Sequence, residues 1–356
     1  MRIGVPRETK TLEGRVALVP AAAGDLVKRG HEVWLEKNAG IKSGFSDEEY
    51  TRLGVNIAPD AAALYEKGQL IVKVKEPIAG DLQHLRKDHL LFCYLHLAAE
   101  PELTRKLLDI GLTGVAFETV ELPNGELPLL APMSVIAGRI ATQVGTTLLH
   151  QPQGGKGKLL GGLPSTERGK VVVFGAGKAG GAAAALAAAG GANVVVFEMR
   201  ADRMDEMMQL GANVTTLYPY HDVVAREVAT ADLVVGAVLV TGAKAPRVLT
   251  REMLKGMQDG SVVVDISIDQ GGCFETSRPT TWKEPTYVEE GVTHFCVTNM
   301  PGSVPQTSSQ AICAAILPWV NKLASDDKWR DNEALKRGIN VEAGKLVHPA
   351  LLDMKL

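Results

Sequence analysis

The sequence predicts an α/β protein of two doubly wound domains, each built on a parallel sheet, joined by two long helices with a cleft between them. Three observations carry this expectation. Short β-branched or leucine-rich runs alternate with helical segments along most of the 356 residues, as expected of βα units whose strands pair in parallel. A glycine turn, Gly175-Ala176-Gly177-Lys178-Ala179-Gly180, follows one such run and opens an alanine-rich segment. Two stretches with few helix breakers, Met133 to Leu149 and Ser308 to Leu323, read as the long helices.

In chain order, Met1 to Pro6 is a first short strand, followed by a loop of mixed charge carrying Lys10, Glu13 and Arg15. Pro20 suits the first turn of a helix that ends at Gly30, since glycine readily takes the left-handed conformation that closes many helices. His31 to Leu35 is the next strand. Ser46 with Glu49 three residues later is a capping box that opens a helix through Leu53. Leu70 to Val74, interrupted by Lys73, and His89 to Leu95 are strands, Pro101 to Ile110 a helix, and Leu112 to Phe117 a further strand. Asn124-Gly125, between Pro123 and Pro128, marks a turn at a boundary.

After the first long helix, Gln151 to Arg168 is a glycine-rich loop. Strands at Val171 to Val173 and Val194 to Phe197 then flank the alanine-rich helix. Helices at Asp202 to Leu210, Asp222 to Ala229 and Thr250 to Met257 alternate with strands near Val214, at Leu233 to Val238 and at Val262 to Ile266. A polar loop, Gln270 to Thr286, precedes the strand Thr293 to Val297, and Asn299-Met300-Pro301-Gly302 closes the unit. Pro318 bends or interrupts the second long helix. The remaining tail is too short for a domain and is expected to return to the first. The expected domains are 1–128 plus 307–356, discontinuous, and 129–306.

Composition narrows the function classes. A hydrophobic fraction of 46% and a charged fraction of 22% are ordinary for a globular chain. A net charge of −3 gives no reason to expect nucleic acid or an acidic membrane as partner. Cys93, Cys273, Cys296 and Cys313 form no C-x-x-C pair, which points to buried thiols in a reducing compartment rather than disulfides or a metal site. The opening MRIGVPRETK has no signal-peptide core, and the apolar tract Ala182 to Phe197 is broken by Gly190 and Gly191. A cytoplasmic protein with no membrane span is expected.

The glycine turn has a mechanical reading. Gly175 permits the tight turn, Gly177 lets the backbone approach a pyrophosphate, and Gly180 lets the helix pack closely on its strand. The helix N-terminus supplies N–H groups to the phosphates. Glu198 ends the second strand of this Rossmann-like unit, where a carboxylate accepts hydrogen bonds from the adenosine ribose and repels a 2′-phosphate, so NAD is favoured over NADP. Residues 129–306 are thus the nucleotide-binding domain, and a tight turn without a ligand is the competing reading. Ligands bind at the carboxyl ends of parallel strands. Lys75, His96 and Glu118 end three strands of the first domain, Arg15 lies in the loop after another, and Asp269 follows a strand of the second. Cations and an imidazole beside a dinucleotide suit hydride transfer to a small oxo acid. Singly, each has an ordinary explanation as a solvated charge or a turn residue, and Asp265 reads as a structural hydrogen-bonding group.

Several blocks together carry a family resemblance: MRIGVPRE, Arg15-Val16-Ala17, Lys73-Val74-Lys75-Glu76-Pro77, Tyr94-Leu95-His96-Leu97-Ala98, Leu127 to Ser134, Gly236 to Pro246, Asp265 to Thr281 and Asn299 to Gly302. The chain resembles the alanine dehydrogenase branch of the alanine dehydrogenase and NAD(P) transhydrogenase alpha-subunit superfamily over nearly its whole length. The resemblance implies reversible oxidative deamination of L-alanine by NAD to pyruvate and ammonium, and a homohexamer. It implies Arg15 and Lys75 as substrate-binding residues, His96 as general acid/base and Asp269 as the group handling water and ammonia. It implies cofactor contacts at Ser134, Gly175, Gly177, Lys178, Ala179, Gly180, Glu198, Arg203, Val238, Leu239, Ile266, Ser267, Ile268, Arg278, Val297, Thr298, Asn299 and Met300.

The sequence departs from the family pattern at Glu198, where aspartate is more usual, at Tyr218-Pro219-Tyr220, where a serine is frequent, and at Ser267, where alanine is common. The rival readings are another NAD-dependent amino-acid dehydrogenase, a transhydrogenase-type subunit, or a non-catalytic NAD sensor. The sensor would need the glycine turn but not Arg15, Lys75, His96 and Asp269 together.

Overall fold

Apolar runs become short strands, most of them buried. The first six are β1 (Arg2–Val5), β2 (Glu32–Glu36), β3 (Asn56–Ala58), β4 (Leu70–Val72), β5 (Leu90–Cys93) and β6 (Thr113–Ala116). Seven more follow: β7 (Lys170–Phe174), β8 (Asn193–Phe197), β9 (Val214–Leu217), β10 (Leu233–Gly236), β11 (Val262–Asp265), β12 (Thr286–Glu289) and β13 (Val292–Phe295). The chain closes with β14 (Ile339–Glu342) and β15 (Lys345–Leu346). This computed structural model describes residues 1–356 except 239–244, 326 and 355. It divides into two units, Met1–Met133 with Gly302–Leu356, and Ser134–Pro301.

The first unit holds a sheet of order β15-β14-β6-β5-β4-β1-β2-β3. Strands β1 to β6 run parallel, while β14 pairs antiparallel with β6 and β15 antiparallel with β14. Ile3, Val5, Val33, Ile71, Leu91, Phe92 and Val115 are fully buried, as expected of parallel strands covered on both faces. Local sequence signals work as read: Pro20 opens the helix Pro20–Lys28, and Gly30 follows it at φ +87°. Ser46 and Glu49 exchange both capping hydrogen bonds at the helix Asp47–Thr51.

The second unit holds a sheet of order β12-β13-β11-β10-β7-β8-β9. Apart from the antiparallel β12 this is the 3-2-1-4-5-6 order of a doubly wound dinucleotide fold, with its reversal point between β7 and β10. Both units are therefore Rossmann-like.

The structure also corrects several readings. The sheets are mostly parallel as expected, and β12, β14 and β15 add antiparallel edges that the sequence reading does not foresee. Strand β3 and the helix Ala61–Lys67 have no counterpart in the sequence reading, since three residues show no periodicity. The run Leu70 to Val74 stops being strand at Val72, where Lys73 turns its ammonium toward Glu8 and Asp81. The helix Pro305–Ser325 continues through Pro318 rather than stopping there. The four cysteines, by contrast, are buried free thiols as expected.

Candidate active site

In the first unit the candidate residues follow four strands that are consecutive neighbours in the sheet. Glu118 comes after β6, His96 after β5, Lys75 after β4 and Arg15 after β1. None of the four is adjacent to another in sequence. The topology alone gathers them on one sheet edge.

Each loop is held by buried polar contacts. Arg15 is buried and forms a fork with Glu13: Nη2 to Oε2 at 2.6 Å and Nε to Oε1 at 2.7 Å. Its Nη1 also reaches the Met133 Sδ at 3.2 Å. Burial alone would lower the guanidinium pKa, but the Glu13 carboxylate outweighs it and holds it above the ordinary value. The next residue is anchored by the Val16 N–H, which donates to Ser309 Oγ at 2.9 Å.

The Lys75 loop rests on a buried ion cluster. Lys73, 1% exposed, lies 3.3 Å from both Glu8 Oε2 and Asp81 Oδ1. Burial works against its ammonium, yet the two carboxylates prevail and raise its pKa. The same Glu8 accepts the N–H of Val74 at 2.7 Å and of Lys75 at 3.3 Å, and the Tyr65 hydroxyl donates to Asp81 at 2.8 Å. The Lys75 ammonium lies 3.9 Å from Glu76 Oε2.

His96 sits in the left-handed region at φ +50°, a conformation uncommon outside glycine. Glu118 fixes that turn: its Oε1 accepts the His96 N–H at 2.6 Å, and both its oxygens accept the Leu95 N–H at 3.2 Å. The imidazole stacks on Tyr94, with ring centroids 5.7 Å apart and planes 9° off parallel. The Tyr94 hydroxyl donates to the Leu129 carbonyl at 2.7 Å.

In the second unit Gly175 has φ +92°, and a Cβ there would stand 2.7 Å from the Ala237 carbonyl oxygen. A Cβ on Gly180 would stand 1.8 Å from the Gly175 carbonyl oxygen, so the helix Lys178–Ala189 packs as closely as the backbone allows. A Cβ on Gly177 meets nothing within 4 Å. That open side, next to the first N–H groups of a helix at Lys178 and Ala179, fits the approach of a pyrophosphate. Gly138 had no signal in the sequence reading; a Cβ there would come within 2.0 Å of the Ala179 carbonyl oxygen. It seats the helix Ala131–Leu148, which also carries Ser134, against the glycine turn.

Glu198 binds the turn itself: Oε2 accepts the Ala176 N–H at 2.8 Å, while Oε1 accepts those of Met199 and Arg200. Arg203 pairs with Glu206 at 2.9 Å. Asp265 accepts the N–H groups of Ser267 and Cys273, as its reading as a structural group anticipates. Ile266–Gln270 is a single short helical turn; within it Ser267 Oγ donates to the Val238 carbonyl at 2.8 Å. Asp269 is exposed and accepts the Asn299 N–H at 3.4 Å, so the loop after β11 meets the one after β13 that holds Val297, Thr298, Asn299 and Met300. Leu239 lies outside the described residues.

The positioning groups Glu8, Glu13 and Asp81 give no sequence signal as partners. Glu8 and Lys73 are 65 positions apart, and only Glu13, two residues before Arg15, is local.

Comparison with known proteins covers both units. The model of the alanine dehydrogenase/PNT N-terminal domain matches residues 4–137, and that of the C-terminal domain residues 141–349. The chain is 47% identical to the alanine dehydrogenase of Halomonas elongata, covering 99% of this chain and 96% of that one. A solved L-alanine dehydrogenase superposes with a TM-score of 0.96 at 47% identity, over 99% of this chain and 98% of that one. A transhydrogenase from Sinorhizobium meliloti superposes with a TM-score of 0.85 at 25% identity, over 98% and 100%.

Proposed function

The chain belongs to the alanine dehydrogenase/PNT family, and we propose that it catalyses the reversible NAD-dependent oxidative deamination of L-alanine to pyruvate and ammonium. The observation that carries this reading is the gathering of Arg15, Lys75 and His96 on loops after adjacent strands of one sheet. A nucleotide sensor has no use for that set.

Residues 129–306 hold the cofactor and residues 1–128 plus 307–356 the substrate. NAD, when bound, supplies the acceptor for the hydride leaving the alanine Cα. Gly177 leaves room for its pyrophosphate at Lys178 and Ala179, while Gly175 and Gly180 shape the turn and seat the helix behind it. Glu198, Ser134, Arg203, Arg278, the pair Val238 and Leu239, residues 266–268 and residues 297–300 complete its surroundings. Arg15, held in place by Glu13, binds the substrate carboxylate through its guanidinium N–H groups. Lys75 sits against the oxygen that gains negative charge as the carbonyl carbon becomes tetrahedral. His96 takes a proton from water attacking the imine and returns it on reversal. Asp269 orients water and ammonia.

No helix among the described residues is long and apolar enough to cross a membrane. A cytoplasmic homohexamer is the assembly consistent with this reading.

The test is NADH oxidation with pyruvate and ammonium, beside His96→Ala. The wild type should oxidise NADH only with both substrates, and the variant should lose about 10²–10⁴ in rate while still binding NADH. A folded wild type that binds NADH but does not oxidise it would remove the assignment. Hydride exchange between nucleotides without alanine would favour the transhydrogenase-type alternative.

A further inference from the structure

Arg278 is exposed and has no ion-pair partner among the described residues, yet it is held in place. Its guanidinium carbon lies 3.9 Å from the centroid of the Tyr287 ring. The Arg278 N–H donates to the Tyr287 hydroxyl at 2.9 Å, and that hydroxyl donates to the Thr276 carbonyl at 2.8 Å. Tyr287 in turn stacks on His294, centroids 4.8 Å apart. His294 is fully buried, and burial lowers its pKa and keeps the ring neutral. Its Nδ1 lies 3.0 Å from the Val292 carbonyl oxygen, which can only accept, so Nδ1 carries the hydrogen. Nε2 is then left to accept from the Thr276 hydroxyl at 2.8 Å. On the other flank Asp265 accepts the Ser277 hydroxyl at 2.5 Å and the Phe274 N–H at 3.3 Å.

The location of this loop says what the cation is for. Thr280 pairs with Val297, and its N–H donates to the Cys296 carbonyl, so the loop lies at the carboxyl edge of β13. That is the β11–β13 half of the sheet, across the glycine turn from Glu198 and β8. With the adenosine ribose at Glu198, a dinucleotide laid across β7 puts its nicotinamide half there.

We propose that Tyr287 and His294 are positioning residues that hold Arg278 as a preordered cation for the phosphate on the nicotinamide side of the dinucleotide. The inference rests on the NAD reading above and adds to it the device that orders one of its contacts. A charged fork fixed before binding loses less side-chain freedom on binding than a free arginine.

The experiment is a fluorescence titration of the full chain with NADH, using Arg278→Ala, Tyr287→Leu, Tyr287→Phe and the double variant Tyr287→Leu/Arg278→Ala. Adenosine monophosphate, which lacks the nicotinamide-side phosphate, serves as a competitor. Arg278→Ala should weaken NADH about tenfold and Tyr287→Leu about three- to fivefold. The double variant should fall well short of the sum of the two single losses, because the Tyr287 ring acts on the nucleotide through the Arg278 side chain. Tyr287→Phe, which keeps the ring under the guanidinium, should recover part of the loss. Affinity for adenosine monophosphate should stay unchanged throughout.

Additive losses in the double variant, or equal weakening toward adenosine monophosphate, would overturn the inference. NADH binding by the wild type with Arg278→Ala unaffected would overturn it while leaving the NAD reading intact. A wild type that binds neither nucleotide would overturn both.

Discussion

The two units place their candidate site residues at the carboxyl edges of parallel strands by different physical means. In the second unit the candidate nucleotide surface is backbone, and glycine shapes it. Gly175 turns the chain at φ +92°, Gly180 lets helix and turn touch, and Gly177 leaves a side open. In the first unit the candidate groups are side chains, and buried charges shape their loops. Glu13 grips Arg15, Glu8 and Asp81 grip Lys73 below Lys75, and Glu118 grips the backbone at His96. A backbone site needs small residues at short spacing. A side-chain site needs each loop tethered separately, and the tethers come from elsewhere in the chain.

This contrast predicts where each unit breaks. The largest effect is expected at Lys73. Replacing it by methionine leaves Glu8 and Asp81 buried without the ammonium, and should destabilise the first unit by about 3–5 kcal/mol in urea unfolding. Neutralising the carboxylates as well, with Glu8→Gln and Asp81→Asn, should restore much of the loss, because the cost lies in uncompensated charge. A loss under about 1 kcal/mol in the single variant would mean that the cluster is not what holds the loop.

The second unit should separate folding from binding at two glycines three residues apart. Gly180→Ala forces a methyl to within 1.8 Å of the Gly175 carbonyl oxygen and should cost about 1–3 kcal/mol through the shift it imposes. Gly177→Ala meets no neighbour at φ −70° and should leave stability within about 0.5 kcal/mol while weakening NADH binding. Equal effects of the two on melting temperature would show that Gly177 serves the fold and not the nucleotide.

The same contrast explains what could be read from the sequence. The turn from Gly175 to Gly180, its flanking strands, the capping box at Ser46 and the proline start at Pro20 are local patterns, and each forms where it is read. Lys75, His96 and Asp269 stand out because chemistry-bearing residues after apolar runs are visible in one dimension. Their supports are not. Glu8 meets Lys73 across 65 residues, and Ser309 meets Val16 across 293. No spacing rule reaches that far. The antiparallel edges escape for a related reason: β14 is recruited by pairing with β6, and four residues carry little propensity of their own.

The smallest expected effect sharpens the comparison at Glu76, a buried carboxylate that meets Lys10 and the candidate substrate cation Lys75. Burial works to raise its carboxyl pKa, but the Lys75 ammonium and a hydrogen bond from Lys10 outweigh it and hold the group below its ordinary value of 4.5. The unfolded chain therefore takes up this proton at a higher pH than the folded one. The stabilisation is complete above about pH 4.5 and is lost as pH falls through the lower folded value. Glu76→Gln should melt slightly below the wild type at neutral pH, and the two melting curves should converge on acidification. A gap that stays constant down to the acid limit would assign the effect of Glu76 to packing. The Lys75 loop would then be held by Glu8, which accepts its N–H, and not by the Glu76 charge.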